Sequence, residues 1–146
     1  MQLMQATTSF EADGTGAERP VVLVVDDHPA ILDMLSWMLY FHGYQPVCVA
    51  NGQEALEWMK NALHTGQYPE AILLDLFMPV MDGTHFLLSL RDCWTNPVPI
   101  PPVILLTVDK SNHDHLACSD VLLKPFHIRD LCERLKRINR KELSSW

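Results

Sequence analysis

Val21-Val22-Leu23-Val24-Val25 is an unbroken apolar run that stops at Asp26-Asp27, and the same figure recurs along the chain. Ala71 to Leu74 stops at Asp75, Val103 to Leu106 at Thr107, and Val121 to Leu123 at Lys124-Pro125. Short runs rich in Val, Ile and Leu, with no polar alternation, fit strands covered on both faces, the habit of a parallel sheet. A fifth run, Tyr44 to Val49, contains Pro46, which has no N–H for a ladder, so it belongs at a sheet edge.

Helical signals fill the gaps between these runs. Pro29 suits a first helical position and Gly43 a C-terminal cap; Asn51 and Gly66 bracket a second helix, and Asp82 can cap a third. A last helical pattern runs from about His127 to Arg140, with Ile128, Leu131, Cys132, Leu135 and Ile138 on one stripe. Two connections are unusual. Prolines 97, 99, 101 and 102 predict an extended link from Cys93 to Pro102. Between Val108 and Asp120, the loops at either end leave room for only about two turns of a fourth helix, which is expected to be short. The alternation predicts an α/β fold, a doubly wound five-stranded parallel sheet.

A chain of 146 residues matches one domain, and 48% apolar with 20% charged residues excludes a wholly disordered, collagenous or coiled-coil chain. Eleven basic against eighteen acidic side chains, a formal charge of -7, argue against direct nucleic-acid binding or attachment to an anionic membrane. The longest apolar stretch, Met34 to Phe41, is broken by Ser36 and falls far short of the roughly 18 residues of a membrane span, so no membrane insertion is expected. Residues 1–19 have neither a basic n-region nor an apolar core and read as a flexible tail; 20–141 form the domain and 142–146 a short C-terminal tail. Cys48, Cys93, Cys118 and Cys132 form no Cys-x-x-Cys pair and read as reduced core residues of a cytoplasmic protein.

In an open parallel sheet, ligands bind beyond the carboxyl ends of the strands. Asp26, Asp27, Asp75, Thr107 and Lys124 all stand there. Taken singly, Asp27 reads as a helix cap, Thr107 as an ordinary strand residue and Lys124 as a solvated cation. Together, three carboxylates on one edge repel each other and call for a cation. Hard oxygen donors suit Mg²⁺. A carboxylate facing a lysine and a hydroxyl is also arranged for phosphoryl transfer, and Asp75, which lies between the other groups in sheet order, is the best nucleophile.

Val-Val-Asp26-Asp27-His28-Pro29, the string Leu74-Asp75-Leu76-Phe77-Met78-Pro79-Val80-Met81-Asp82-Gly83, Leu105-Leu106-Thr107 and Leu123-Lys124-Pro125-Phe126 resemble, in this order, the receiver domain of two-component response regulators. The match runs from about Val21 to Arg140. The resemblance implies a flavodoxin-like sheet in the order 2-1-3-4-5 and phosphorylation of Asp75 by a histidine kinase or histidine phosphotransfer protein. It implies Mg²⁺ held by Asp27, Asp75 and the Phe77 backbone carbonyl, with Asp26 assisting through water. Lys124 would pair with the phosphoryl group, the Thr107 hydroxyl would move to it, and the bond before Pro125 is often cis in the family. Such a domain catalyses its own phosphoryl transfer and dephosphorylation but is chiefly a signalling module.

This chain departs from the family in having Val121 where an aromatic residue is usual, Val108 where a small one is usual, and little room for the fourth helix. These departures favour an alternative, a receiver-like scaffold acting independently of phosphorylation; the five site residues favour the switch. If the chain is complete at Trp146, the expectation is a stand-alone, chemotaxis-regulator-like receiver that signals by docking to an unknown downstream protein. Flavodoxin, dinucleotide-binding and dehalogenase-like readings fail on Asp26-Asp27, the missing glycine motif and Phe77 respectively.

Three further expectations come from the residues around the site. The first helix has an apolar arc of Trp37, Phe41, Met34, Met38, Ile31 and Leu32, opposite Asp33, Ser36 and Tyr40, that is broader than a core-facing stripe needs; Ile31, Met34 and Trp37 are expected to face the kinase or phosphotransfer protein. Arg129, Arg134, Lys136, Arg137, Arg140 and Lys141 gather basic charge for an acidic partner. Phe77, Val108 and Asp109 flank the site and are expected to set the lifetime of the phosphoryl group. His113-Asp114-His115 reads as solvated surface.

Overall fold

The computed structural model describes residues 19–95, 97–108 and 118–144. Strand β1 (Val21–Val25) leads into helix α1 (Pro29–Phe41), β2 (Gln45–Val49), α2 (Gly52–Thr65), β3 (Ala71–Asp75), α3 (Gly83–Cys93), β4 (Val103–Thr107), β5 (Asp120–Leu123) and α4 (Ile128–Ser144). The five strands form one parallel sheet in the order β2-β1-β3-β4-β5. β2, with Pro46, lies on the edge as its proline requires.

The two-residue period of a strand divides the core into two layers. Leu23, Val25, Ile72, Leu74 and Leu105 pack on one side with Met59 of α2 and Phe86 and Leu90 of α3. Val22, Val24, Leu73, Ile104 and Leu106 pack on the other with Leu35 and Leu39 of α1 and Leu131, Leu135 and Ile138 of α4. β1, β3 and β4 are therefore covered on both faces, which is why their sequences show no polar alternation. β5 is the other edge strand and is half-buried.

The caps are where the chain signals them. The Asn51 side chain accepts from the Glu54 N–H at 2.9 Å, while the Glu54 carboxylate accepts from the Ala50 N–H at 3.0 Å, a near capping box. Gly66 closes α2 in the left-handed conformation, and Gly43 follows α1 with φ +93°. Asp82 caps α3 by accepting from the His85 N–H at 2.9 Å.

Several expectations are corrected. α4 continues to Ser144 instead of ending near Arg140, with no glycine or proline before Trp146 to stop it. Arg19 is not loose: its guanidinium donates to the Tyr40 carbonyl at 2.6 Å and lies 4.0 Å over the Tyr40 ring, tying the chain entry to the end of α1. Ser36 does not face solvent but is buried with Leu35 and Leu39, its hydroxyl satisfied by the Asp33 carbonyl at 2.9 Å. All four cysteines are free, but only Cys48 and Cys132 are buried; desolvation pushes the Cys48 thiol up to about 12. The expected short fourth helix, Asp109 and His113-Asp114-His115 lie outside the described residues, as does the tail before Arg19.

Candidate functional site

The carboxyl ends of β1, β3, β4 and β5 carry Asp26-Asp27, Asp75, Thr107 and Lys124, and the sheet order places Asp75 between the first pair and the last two. Asp26 is fully buried, and Asp75 and Thr107 nearly so. Lys124 is brought in by its own backbone, whose N–H donates to the Thr107 carbonyl at 2.7 Å and so extends the β4–β5 pairing by one bond. Its ammonium lies 3.0 Å from Asp26 Oδ2 and 3.9 Å from Asp75 Oδ2. The Lys124–Pro125 peptide is cis.

Asp75 Oδ1 accepts from the Phe77 N–H at 3.2 Å, which fixes the carboxylate against the loop that follows β3. Burial pushes the Asp75 carboxyl above its ordinary range; the Lys124 charge and the Phe77 N–H oppose that shift, and the charges of Asp26 and Asp27 add to it. The loop itself is held by close backbone approach. A Cβ on Gly83 would stand 2.7 Å from the Asp75 carbonyl oxygen and 2.9 Å from Leu76 Cα, and one on Gly52 would stand 2.6 Å from the Met81 carbonyl oxygen. Between these contacts, Met81 N–H donates to the Pro79 carbonyl at 2.8 Å around Val80, whose φ of +69° is a left-handed conformation that a β-branched residue rarely adopts.

His28 completes the cluster, and the sequence reading gave it no role. Its Nδ1 is 2.8 Å from Asp26 Oδ1 and 3.2 Å from Asp27 Oδ1, and its backbone N–H also bonds Asp26 Oδ1 at 3.0 Å. The hydrogen bond to Asp26 and the charges of Asp26 and Asp27 hold the His28 ring above its ordinary pKa. The signal was Pro29, which disfavours helical backbone at the preceding residue and leaves His28 extended, beyond the helix and beside the carboxylates.

Among the described residues, Asp26, Asp27, His28 and Asp75 form the one group of donor atoms, all within 4.8 Å of one another, that suits a metal ion. Asp27 Oδ1 is shut off from solvent and accepts no well-formed hydrogen bond, its nearest donor atom being His28 Nδ1 at 3.2 Å. A buried carboxylate oxygen without a full hydrogen bond is costly, and a cation would meet that need. The residues fit a divalent cation.

Phe77, Val80 and Val108 are exposed. Ile31 is half-buried against the core, whereas Met34 and Trp37 are exposed on α1. A groove of about 860 Å³ runs between α1 and α4, lined in part by Met34, Met38, Ile128, Arg129 and Lys136. Arg134, counted above as basic surface, instead pairs with Asp120 at 3.2 Å and donates to the Val121 carbonyl at 2.8 Å.

A family model described as the response regulator receiver domain matches residues 22–136. The chain belongs to the response regulator receiver family. This receiver domain is 37% identical over 132 residues to the transcriptional regulatory protein PrrA of Mycobacterium leprae, covering 87% of the chain and 53% of that protein. It is 33% identical over 127 residues to the transcriptional regulatory protein AruR of Pseudomonas aeruginosa, covering 84% and 50%. It thus spans about half the length of the curated relatives it matches. The receiver domain of the sensor histidine kinase PA1611 of Pseudomonas aeruginosa, solved with a magnesium ion in its active site cleft, superposes with a TM-score of 0.72 at 28% identity, over 84% of this chain and 99% of that one. The chemotaxis response regulator CheY4 of Vibrio cholerae superposes with a TM-score of 0.71 at 29% identity, over 83% and 99%. Among the described residues, no helix of this receiver is long and apolar enough to cross a membrane.

Proposed function

We propose that this receiver domain is a phosphorylation-dependent switch that accepts a phosphoryl group on Asp75 from a phosphohistidine of a histidine kinase or phosphotransfer protein. The observation that carries the reading is the buried Asp75 carboxylate, oriented by the Phe77 N–H at 3.2 Å with Lys124 Nζ 3.9 Å away. Asp75 attacks phosphorus in line, its new P–O bond forming as the P–N bond to the donor imidazole breaks; the imidazole leaves with the bonding pair and takes a proton. Lys124 then has a phosphoryl oxygen to pair with in place of a carboxylate, and the Thr107 hydroxyl, one strand away, is the group that follows it.

Asp27, Asp75 and the Phe77 carbonyl would hold Mg²⁺, with Asp26 assisting through water. When bound, Mg²⁺ supplies positive charge to the acidic cluster and to the incoming phosphoryl oxygens. Asp26, fully buried and paired with Lys124 at 3.0 Å, serves until then as the counter-ion that keeps the lysine aimed into the site. Exposed Met34 and Trp37, with half-buried Ile31 beside them, form the face for a kinase or phosphotransfer helix bundle. Output passes to a downstream protein by docking, and the cytoplasm is where such kinases present their phosphohistidine. The domain so proposed extends from Arg19 to the end of α4 at Ser144.

The test is modification by acetyl phosphate in Mg²⁺, followed by mass spectrometry, with beryllofluoride-induced NMR shifts as a second readout. Both are expected for the wild type and absent in Asp75→Ala or with EDTA; modification that survives either would remove the proposal, and a wild type showing neither modification nor shifts would favour the phosphorylation-independent scaffold.

A further inference from the structure

His28 is the N-cap residue of α1, yet its side chain makes no capping hydrogen bond. Its backbone is extended at φ -94°, ψ 109°, and its N–H is held by Asp26 Oδ1 at 3.0 Å, so the residue is pinned directly above the carboxylates. The ring turns away from the helix N-terminus and puts Nδ1 at 2.8 Å from Asp26 Oδ1 and 3.2 Å from Asp27 Oδ1. The 2.8 Å contact is a hydrogen bond to Asp26 Oδ1, so an ion would take the place of the Nδ1 proton, and all four donor atoms lie within 4.8 Å of one another, close enough to share a single ion. Covalent attachment to Asp27 on one side and Pro29 on the other keeps the ring beside the site even though it is 60% exposed.

A carboxylate cluster with an imidazole is a different ligand set from carboxylates alone. Mg²⁺ favours oxygen and gives up its water reluctantly, whereas imidazole suits first-row transition metals and raises their affinity in the order from Mn²⁺ towards Cu²⁺. We infer that His28 is a nitrogen ligand of the metal centre and shifts its selectivity from Mg²⁺ towards Mn²⁺ and its heavier first-row neighbours. The inference rests on the reading above that Asp27 and Asp75 hold a divalent cation, and it adds a ligand that reading does not include. The receiver would then respond to the availability of a transition metal as well as to its kinase.

The test uses the full chain loaded with Mn²⁺ and electron spin-echo envelope modulation, which detects nitrogen bonded directly to the ion without any turnover. The wild type is expected to show ¹⁴N modulation that changes to the ¹⁵N pattern when histidine alone is ¹⁵N-labelled, and that disappears in His28→Gln. In competition titrations, His28→Gln is expected to narrow the Mn²⁺ over Mg²⁺ affinity ratio by about tenfold. The labelling experiment needs no variant, so it stands even where the substitution perturbs folding. Mn²⁺ bound with no nitrogen modulation, or modulation and ratio unchanged in His28→Gln, overturns the inference while leaving the oxygen-ligated centre intact. Failure of the wild type to bind either cation overturns the metal centre itself.

Discussion

Gly83→Ala reads out whether close backbone approach sets the geometry around Asp75. In most helical settings this substitution stabilises, by about 0.5–1 kcal/mol, because alanine loses less backbone entropy on folding. Here the sign should reverse. The added Cβ would meet the Asp75 carbonyl oxygen at 2.7 Å, Leu76 Cα at 2.9 Å and Leu76 Cδ2 at 3.0 Å. Since ordinary contacts begin near ~3.5 Å, the start of α3 and the end of β3 must separate by roughly 0.5–1 Å. Two of the three atoms are backbone, in or next to a fully buried strand, so no side-chain rotation relieves the contact. The separation also stretches the Gly83 N–H to Leu76 carbonyl bond, now 2.9 Å. An overpacking cost of about 1–3 kcal/mol against the entropic gain leaves a net destabilisation of about 0.5–2 kcal/mol. For a chain of this size that lowers Tm by about 2–6 °C. The same movement carries the Asp75 backbone, so labelling by acetyl phosphate should fall further than the stability change alone accounts for. Gly52→Ala strains the other anchor of the same loop through Met81, and the double substitution should be less than additive, since one loop displacement relieves both contacts. Urea denaturation and labelling rates measured side by side decide it. Should Gly83→Ala raise the midpoint and leave labelling unchanged, the loop is not held by close approach and the reasoning fails.

Three more outcomes are expected. Asp82→Ala should cost about 1 kcal/mol at neutral pH as a lost helix cap. The His85 N–H holds the Asp82 carboxyl below its ordinary range, so its contribution is present above the unfolded value of about 3.9 and lost as pH falls through the depressed folded value; the gap between wild type and variant in urea melts should close there and nowhere nearer neutrality. Met34→Arg, at a residue 42% exposed, should change stability by no more than about 0.5 kcal/mol and leave acetyl phosphate labelling intact while slowing transfer from a phosphohistidine partner several-fold; equal loss of both rates would show damage to the fold instead of to a docking face. Phe77→Asn and Val108→Ala, both at exposed apolar positions following site residues, should speed hydrolysis of the aspartyl phosphate several-fold by admitting water, and unchanged lifetimes in both would remove shielding as the cause.

Much of the fold was legible because burial on both faces of a parallel sheet leaves a plain mark: β1, β3 and β4 have no polar residue until the strand ends, and the first polar residue is then the one at the sheet's carboxyl edge. That coincidence made Asp26, Asp75, Thr107 and Lys124 readable as neighbours in one candidate site, and sheet order made Asp75 its middle member. What was not legible depends on which way a side chain turns. Periodicity assigned Ser36 to the outer side of α1, but a serine can return its hydroxyl to its own helix, here to the Asp33 carbonyl, and so enters the core at little cost. The apolar arc drawn through Met34, Trp37 and Phe41 is correspondingly the exposed side, and Leu35 and Leu39 carry the burial.

His28 shows the same limit at the site. A histidine before a proline announces an extended residue at a helix start, which is a statement about backbone; whether its ring caps the helix or turns to the carboxylates depends on the Asp26 side chain that captures its N–H. The glycines went unread for a related reason. Gly52 and Gly83 have no unusual φ, so nothing local demands them; what demands them is the Met81 carbonyl in one case and the Asp75 carbonyl in the other, each brought up by a different element. The loop from Leu76 to Asp82 is thus clamped from both sides, and Val80 sits between the clamps at a φ of +69°. A loop held in this way presents the Phe77 N–H to Asp75 at a fixed distance, so Asp82 and Gly83, at the far end of the motif, act on the Asp75 carboxylate by positioning the backbone that orients it.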